Sequence, residues 1–431
     1  MTGPDRSPST EDAPPATPPS GRSPAVVFIF ITVLLDMLSI GIIIPVLPKL
    51  ILHFTGTFKS AAEMLGIFMS VWALMQFIAS PVIGALSDRF GRRPVILASN
   101  LGLGLDYLIM AMAPALWVLF VGRVFAGVFS ATVSAAQAYI ADITPPEKRA
   151  AAFGMLGAAF GLGFVLGPAL GGMLGHYDLR LPFYAAAFMS LANFCYGFFV
   201  LPESLPVHLR SPFRMRAANP VNALKLLGRS PQLTRLGVIN FLLMLSHQVL
   251  PACAVLYMGL RYDWQEREVG FLLAGVGVAG MIVQGGLVRP VVKAIGEKRA
   301  MMIGLASGLA GFAVYGLAST GTLFMVGIPV MALWGFAQPS VTAQMTKEVQ
   351  PEEQGRLQGA SASINGLSGM VGPWIFAYAF AFAVDPAKGL NMPGLPFFLA
   401  AGLMLIGLVA GLGIRRATPT PAPAAAATGE A

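Results

Sequence analysis

The chain alternates between long, nearly unbroken apolar runs and short polar breaks. A hydrocarbon layer ~30 Å thick takes roughly 20 apolar residues of helix to cross. By that measure the runs predict twelve spans, near 25–47, 62–86, 94–113, 116–141, 150–173, 182–201, 234–257, 268–291, 300–318, 322–345, 357–383 and 395–414. The runs are too long and too continuously apolar for barrel strands, which alternate their faces, so helices are the expected spanning form.

Composition agrees. Of the 431 residues 56% are hydrophobic and only 11% charged, with a mean hydropathy of +0.71. Soluble domains carry about a quarter charged residues, so this chain lacks the polar surface to cover itself in water. It reads as an all-α integral membrane protein. The net charge of +8 does not indicate a nucleic-acid partner, because the basic residues are spread over short loops rather than gathered on one segment. Cys195 and Cys253 lie inside apolar runs, as small hydrophobes do.

Residues 1–24 and 415–431 are polar or rich in Pro and Ala and are expected to be disordered tails, with no cleavable signal peptide apparent. Between them lie a first bundle, 25–201, a central loop, 202–233, and a second bundle, 234–414. Of the 28 Lys and Arg, 21 fall in the tails, central loop and segments on one side, against 6 on the other and Arg123 within a span. That bias places both termini in the cytoplasm.

The two bundles repeat one another. A constant shift of 205 residues relates Asp88, Gly91 and Arg93 to Lys293, Gly296 and Lys298. The same shift relates Pro146, Glu147, Gly154, Gly167 and Pro168 to Pro351, Glu352, Gly359, Gly372 and Pro373. Two six-helix repeats in the same orientation, with a site between them near the midplane, are a transporter design.

Three stretches carry a family resemblance: "GALSDRFGRRPVIL" (84–97), "GRVFAGVFSATVSAAQAYIADITPPEKRAAAFG" (122–154) and "GLGFVLGPALGG" (161–172). In them the chain resembles the major facilitator superfamily, and within it the drug:proton antiporters, above all the bacterial tetracycline exporters. The resemblance runs from about residue 28 to 414 and thins in the second half, although "QGRLQGA" and "VGP" fit. It implies a fold of two six-helix bundles related by a pseudo-two-fold axis, a monomer, and residence in the bacterial inner membrane.

In the first stretch Gly91 permits a tight turn and Pro94 suits the first turn of a new helix. The resemblance implies a cytoplasmic gate made of Gly84, Asp88, Arg89, Gly91, Arg92, Arg93, Asp142 and Arg149. In it Asp88 lies near the N-terminus of a facing helix, and one of the arginines lies near Asp142. The simpler reading is that these arginines only fix topology. In the fifth span Gly161, Gly163, Gly167, Pro168, Gly171 and Gly172 crowd one helix. Small residues allow close helix approach and Pro168 bends the rod; the resemblance identifies this stretch as the antiporter motif, while ordinary small-residue packing is the alternative.

Two carboxylates lie deep within spans, Asp36 and Asp106. At 1.5 Å of rise per residue each is some 16–18 Å from the cytoplasmic start of its span, roughly at the midplane. A carboxylate there usually faces a wet cavity, finds a partner or binds a proton. Both are candidates for proton coupling, and tetracycline exporters carry acidic residues in matching contexts. Arg123 is a candidate for pairing with a carboxylate or meeting an anionic substrate group, with snorkelling to the interface as its alternative. Gln76, Gln137, Asn240, His247, Gln248, Gln284, Gln338 and Asn365 are candidate cavity-lining groups, each equally open to interhelical hydrogen bonding.

The second half departs from the exporter pattern. Its span 9 is uncharged and its span 8 has no histidine, where those exporters place an acidic residue and a histidine respectively. Coupling is therefore expected to rest on the first half. The leading expectation is a secondary transporter that exports small amphipathic compounds in exchange for protons. A proton-coupled importer or facilitator of a sugar or organic acid is the alternative, and a non-transporting receptor a third. No P-loop, HExxH or GxSxG occurs, so neither an enzyme nor an ATP-driven pump is expected, and no cofactor or metal site. The expected partners are the substrate, protons and the lipid bilayer.

Overall fold

The computed structural model describes residues 23–130, 132–210 and 224–414. Nearly all of the residues expected in the two tails, and the middle of the central loop, lie outside this range. Among the described residues twelve helices are long and apolar enough to cross a membrane. They are span 1 (Val27–Thr55), span 2 (Phe58–Phe90), span 3 (Arg92–Ala111), span 4 (Leu116–Ile143), span 5 (Glu147–Tyr177) and span 6 (Leu181–Val200). The second half continues with span 7 (Pro231–Tyr262), span 8 (Glu266–Ile295), span 9 (Glu297–Leu317), span 10 (Gly321–Lys347), span 11 (Pro351–Val384) and span 12 (Leu395–Leu412). Several run up to two turns past the ends read from hydropathy, because polar residues at an interface extend a helix at little cost.

The helices begin where the chain supplies a cap. The Thr57 and Thr320 hydroxyls accept from the amides of Ser60 and Leu323, and Ser230 does the same for Leu233. Gly91, at φ 105°, turns span 2 into span 3, and Gly296, at φ 81°, turns span 8 into span 9. Both angles are left-handed, where a side chain is strained, and the two glycines are related by the internal shift of 205.

The same repeat governs where helices break. Span 1 divides after Ile43, span 7 at His247 and span 4 around Ser130, while span 10 tightens into a 3-10 turn at Leu333–Phe336. Pro48, Pro251 and Pro339 lie four residues beyond Ile44, His247 and Gly335, at three of these points. A proline ring collides with the carbonyl four residues back and removes a donor, so these three breaks have a local cause. All four interrupted helices contribute to the wall of one central cavity.

Within the halves, span 1 packs on span 5, span 3 on span 6 and span 9 on span 12. Span 2 with span 11, and span 5 with span 8, form the two seams between halves. The protein therefore has two six-helix bundles facing each other across a cavity. The side bearing the 84–97 turn and the central loop is called the hinge face below, and the opposite side the far face.

Candidate functional site

The cavity between the halves measures about 1340 Å³. Its wall is mostly apolar and aromatic, with Trp72, Tyr107, Phe160, Phe164, Tyr315 and Phe324 among its residues. Polar groups interrupt it at Gln76, Gln137, Arg123, His247, Gln248 and Asn365, six of the sequence candidates. The other three are placed elsewhere. Gln338 donates to the Asn240 carbonyl oxygen at 3.0 Å, joining span 10 to span 7 with Asn240 buried. Gln284 is exposed in a π-helical turn of span 8, off the cavity wall. All three were expected to line the cavity; Gln338 and Asn240 instead satisfy one another across helices, and Gln284 lies at an exposed position.

Asp106 and Arg123 meet at the wall. The Arg123 Nη2 is 3.8 Å from Asp106 Oδ2, with Asp106 2% and Arg123 8% exposed. Neither oxygen of Asp106 has a hydrogen-bond partner among the described residues, and neither does Arg123 Nε. Arg123 Nη2 lies 3.0 Å from the Met110 sulfur. Gly122, beside the arginine, makes the room: a methyl group there would lie 2.8 Å from Asp106 Oδ1. The pair is thus a loose ion contact with unspent hydrogen-bonding capacity. A buried polar group in that condition is costly, and it gains most from a proton, a substrate group or water.

Asp36 is placed differently. It is 3% exposed, lies off the cavity wall and accepts from the Asn193 side chain of span 6 at 3.1 Å. Asn193 also donates to the Thr32 carbonyl at 3.1 Å and is fully buried. Ser39 and Ser190 touch nearby at 3.4 Å. Asp36 is therefore part of a polar tie between spans 1 and 6. Asn193 could not be found from sequence, since an asparagine in an apolar run carries no sign of its partner. Asp36→Asn keeps an acceptor for Asn193, so it is expected to retain most of the wild-type transport in the vesicle assay described below.

The hinge-face charges form an ion network within the first half. Arg92 contacts Asp88 at 2.6 Å and Asp142 at 3.1 Å, as the arginine-to-Asp142 expectation required. Asp88, however, meets Arg92 rather than a facing helix end. Arg93 donates to the Phe198 carbonyl, Arg89 lies over the Phe90 ring, and Arg149 donates to the Thr144 and Ala141 carbonyls. Gly84 has nothing within 4 Å of where a side chain would begin. Glu203 and Ser204, from the start of the central loop, complete the cluster: Glu203 accepts from the Arg92 amide at 2.8 Å and Ser204 donates to Asp142 at 3.1 Å.

The far face is held by ion pairs that cross between halves. Lys49 of span 1 contacts Glu266 of span 8 at 3.3 Å, with side chains only 12% and 10% exposed, and donates to the Trp264 carbonyl at 2.7 Å. Lys59 of span 2 contacts Asp385, just past span 11, at 2.8 Å. The Lys59 hydrogen bond holds the Asp385 carboxyl below its ordinary range. A depressed carboxyl contributes its attraction above its ordinary value and loses it as pH falls through the lowered one. Mild acid at the far face therefore leaves this pair closed. Glu266→Gln removes the partner of a mostly buried lysine, which costs on the order of 2 kcal/mol, a roughly 30-fold change in a two-state ratio. Faster labelling of Leu47→Cys by an impermeant maleimide from the far face is the expected readout.

The glycines of 161–172 pack on two neighbours, span 1 and span 8. Gly163, Gly167 and Gly171 lie against Met37, Gly41 and Ile42 of span 1, and Pro168 lies against Gly41. Gly172 lies against Glu266 and Gly270 of span 8, across the seam.

A cavity closed on one face by ion pairs between two repeated bundles is the architecture of an alternating-access transporter. The Major Facilitator Superfamily model matches residues 29–373, and the chain belongs to that superfamily. It is 38% identical over 386 residues to the class C tetracycline resistance protein of Escherichia coli, covering 90% of this chain and 96% of that one. It is 36% identical to the class G tetracycline resistance protein of Vibrio anguillarum, covering 85% and 93%. Among solved structures, the human organic anion transporter MFSD10 superposes with a TM-score of 0.67 at 23% identity, covering 92% of this chain and all of that one. The nucleoside transporter NupG superposes at 0.75 with 13% identity, covering 90% and 98%.

Proposed function

We propose that this protein exports small amphipathic compounds across the bacterial cell membrane in exchange for protons, with tetracycline the first compound to test. The observation that carries the reading is the loose Asp106–Arg123 pair on the wall of a cavity closed at the far face. The basic residues of the hinge-face loops support a cytoplasmic hinge face, and on that reading the cavity is open inward. The chain acts as a monomer in the bilayer and performs no covalent chemistry.

Substrate enters from the cytoplasmic side, and its apolar surface meets the aromatic wall. Asp106 releases its proton to the water of the open cavity, and the resulting carboxylate is stabilised by Arg123. A substrate group carrying positive charge competes with the proton for the same oxygens, so binding and proton loss favour one another. The halves then rock, the far-face pairs separate and the cytoplasmic side closes. Asp106 takes a proton from outside, which removes the charge that held the substrate and promotes its release. Each state favours the one ligand that the other releases.

Inside-out vesicles with an imposed pH gradient and a fluorescent pH probe test the reading. Tetracycline or another amphipathic compound from a panel is expected to dissipate the gradient in wild type. An inserted, folded protein that responds to none of them would favour a metabolite carrier instead.

A further inference from the structure

The internal repeat inverts its charges at the hinge face. The shift of 205 that carries Arg92 and Asp142, 3.1 Å apart, to the second half lands on Glu297 and Lys347, 2.6 Å apart. It also carries Asp88 to Lys293. Asp88, Arg92 and Asp142 are thus each replaced by a residue of opposite charge, whereas Arg93 and Glu147 keep their sign at Lys298 and Glu352. Arg289 and Lys293 are exposed, outside every ion pair found among the described residues, and line a small groove with Gly296 and Ser340. On the other half, Glu147 is exposed in the first turn of span 5. Its neighbour Arg149 is turned away, donating to the Thr144 and Ala141 carbonyls.

The seam between spans 5 and 8 has a fixed register. Gly172 meets Gly270, Val165 meets Gly277 and Gly161 meets Met281, so the two numbers of each pair add to 442. Past Gly161 the helices part. Gly157 and Gly154 on span 5, and Gly285 and Gly286 on span 8, have nothing within 4 Å of where a side chain would begin. Beyond Met281 span 8 passes through the π-helical turn Ile282–Leu287. Its hinge-face end, which carries Lys293, lies on the same side of the seam as the start of span 5, which carries Glu147.

We propose that Glu147 and Lys293, assisted by Arg289, form a charge-inverted second latch that closes the cytoplasmic side when the far face opens. The inversion has a physical reason. An acidic group such as Asp88 is attracted to the exposed amides at a helix N-terminus, whereas a lysine is repelled by them. A basic residue at the matching position of the second half therefore needs an acid in the first turn of the helix it faces, and Glu147 supplies it. The uncovered glycines beneath let the two helices meet closely enough for the charges to pair.

Two measurements test this. In a chain carrying Cys195→Ser and Cys253→Ala, the pair Glu147→Cys and Lys293→Cys is treated with a short bifunctional maleimide, with and without Glu266→Gln. Releasing the far-face lock is expected to raise cross-linking about 10-fold. No rise, while far-face labelling of Leu47→Cys does increase, overturns the proposal. The cross-link reads geometry, so it stands apart from whether tetracycline is the substrate. Separately, E147K and K293E are each expected to lower transport about 10-fold, and the double reversal to recover most of it, as for a directly coupled pair. A double variant no better than the worse single contradicts the contact.

Discussion

Asp106→Asn is expected to give a folded, inserted protein that no longer accumulates substrate against a gradient. The amide is the same size as the carboxyl and meets the same room beside Gly122. It cannot carry a proton away from one side and collect it on the other. It also leaves the Arg123 guanidinium, 8% exposed, without the carboxylate 3.8 Å from it. An uncompensated buried charge costs about 3–5 kcal/mol where water is excluded, and Arg123, which borders the cavity, falls at the low end of that range. Even ~3 kcal/mol amounts to roughly 100-fold in rate. Proton-driven transport is therefore expected to fall at least about 100-fold, whereas Asp36→Asn stays near wild type. Equal and complete loss in both variants would make the Asp36–Asn193 tie part of the proton path.

Gly171→Leu is expected to abolish the folded protein. A methyl group at Gly171 already collides with the carbonyl of Ile42 and lies 2.7 and 2.9 Å from its carbon and Cα, all backbone atoms of span 1. No rotamer change relieves a clash with backbone, so spans 1 and 5 must separate along their length. Extra volume in a well-packed core costs about 1–3 kcal/mol even where side chains yield, against a total stability of roughly 5–15 kcal/mol. Gly402→Leu is the matched control, because nothing lies within 4 Å of that position in span 12. Fluorescence-detected size exclusion of tagged protein should show no monodisperse peak for Gly171→Leu and a normal one for Gly402→Leu. A normal peak for both would mean that the span 1–span 5 contact is not needed for folding.

Much of the fold was legible because membrane spans write themselves in length and composition. The internal shift of 205 reappears in the left-handed Gly91 and Gly296 and in Pro168 and Pro373, each inside its helix. It also reappears in the paired breaks of spans 1 and 7. The Arg92–Asp142 contact was legible only through the family resemblance, which placed one of Arg89, Arg92 and Arg93 near Asp142. What the sequence hid was direction. Hydropathy is the same for a helix face turned to lipid, to cavity or to a neighbour, so Gln338 and Asn240 looked like wall residues although they bond to each other. Lys49 and Glu266 are 217 positions apart, and nothing in the sequence joins them. Glu203 reads as one more loop acid until the chain folds it onto the start of span 3. The uncharged interior of span 9 is consistent with coupling centred on Asp106 in the first half.

Proton release on substrate binding tests the coupling most directly. Purified protein in weakly buffered detergent solution, mixed with tetracycline or whichever panel compound dissipates the vesicle gradient, should acidify the medium as Asp106 gives up its proton. Asp106→Asn, which has lost the charge that holds the substrate, should bind the compound more weakly and release no proton even when saturated. Binding without acidification in wild type, or acidification unchanged in Asp106→Asn, would contradict an exchange of proton for substrate at the Asp106–Arg123 pair.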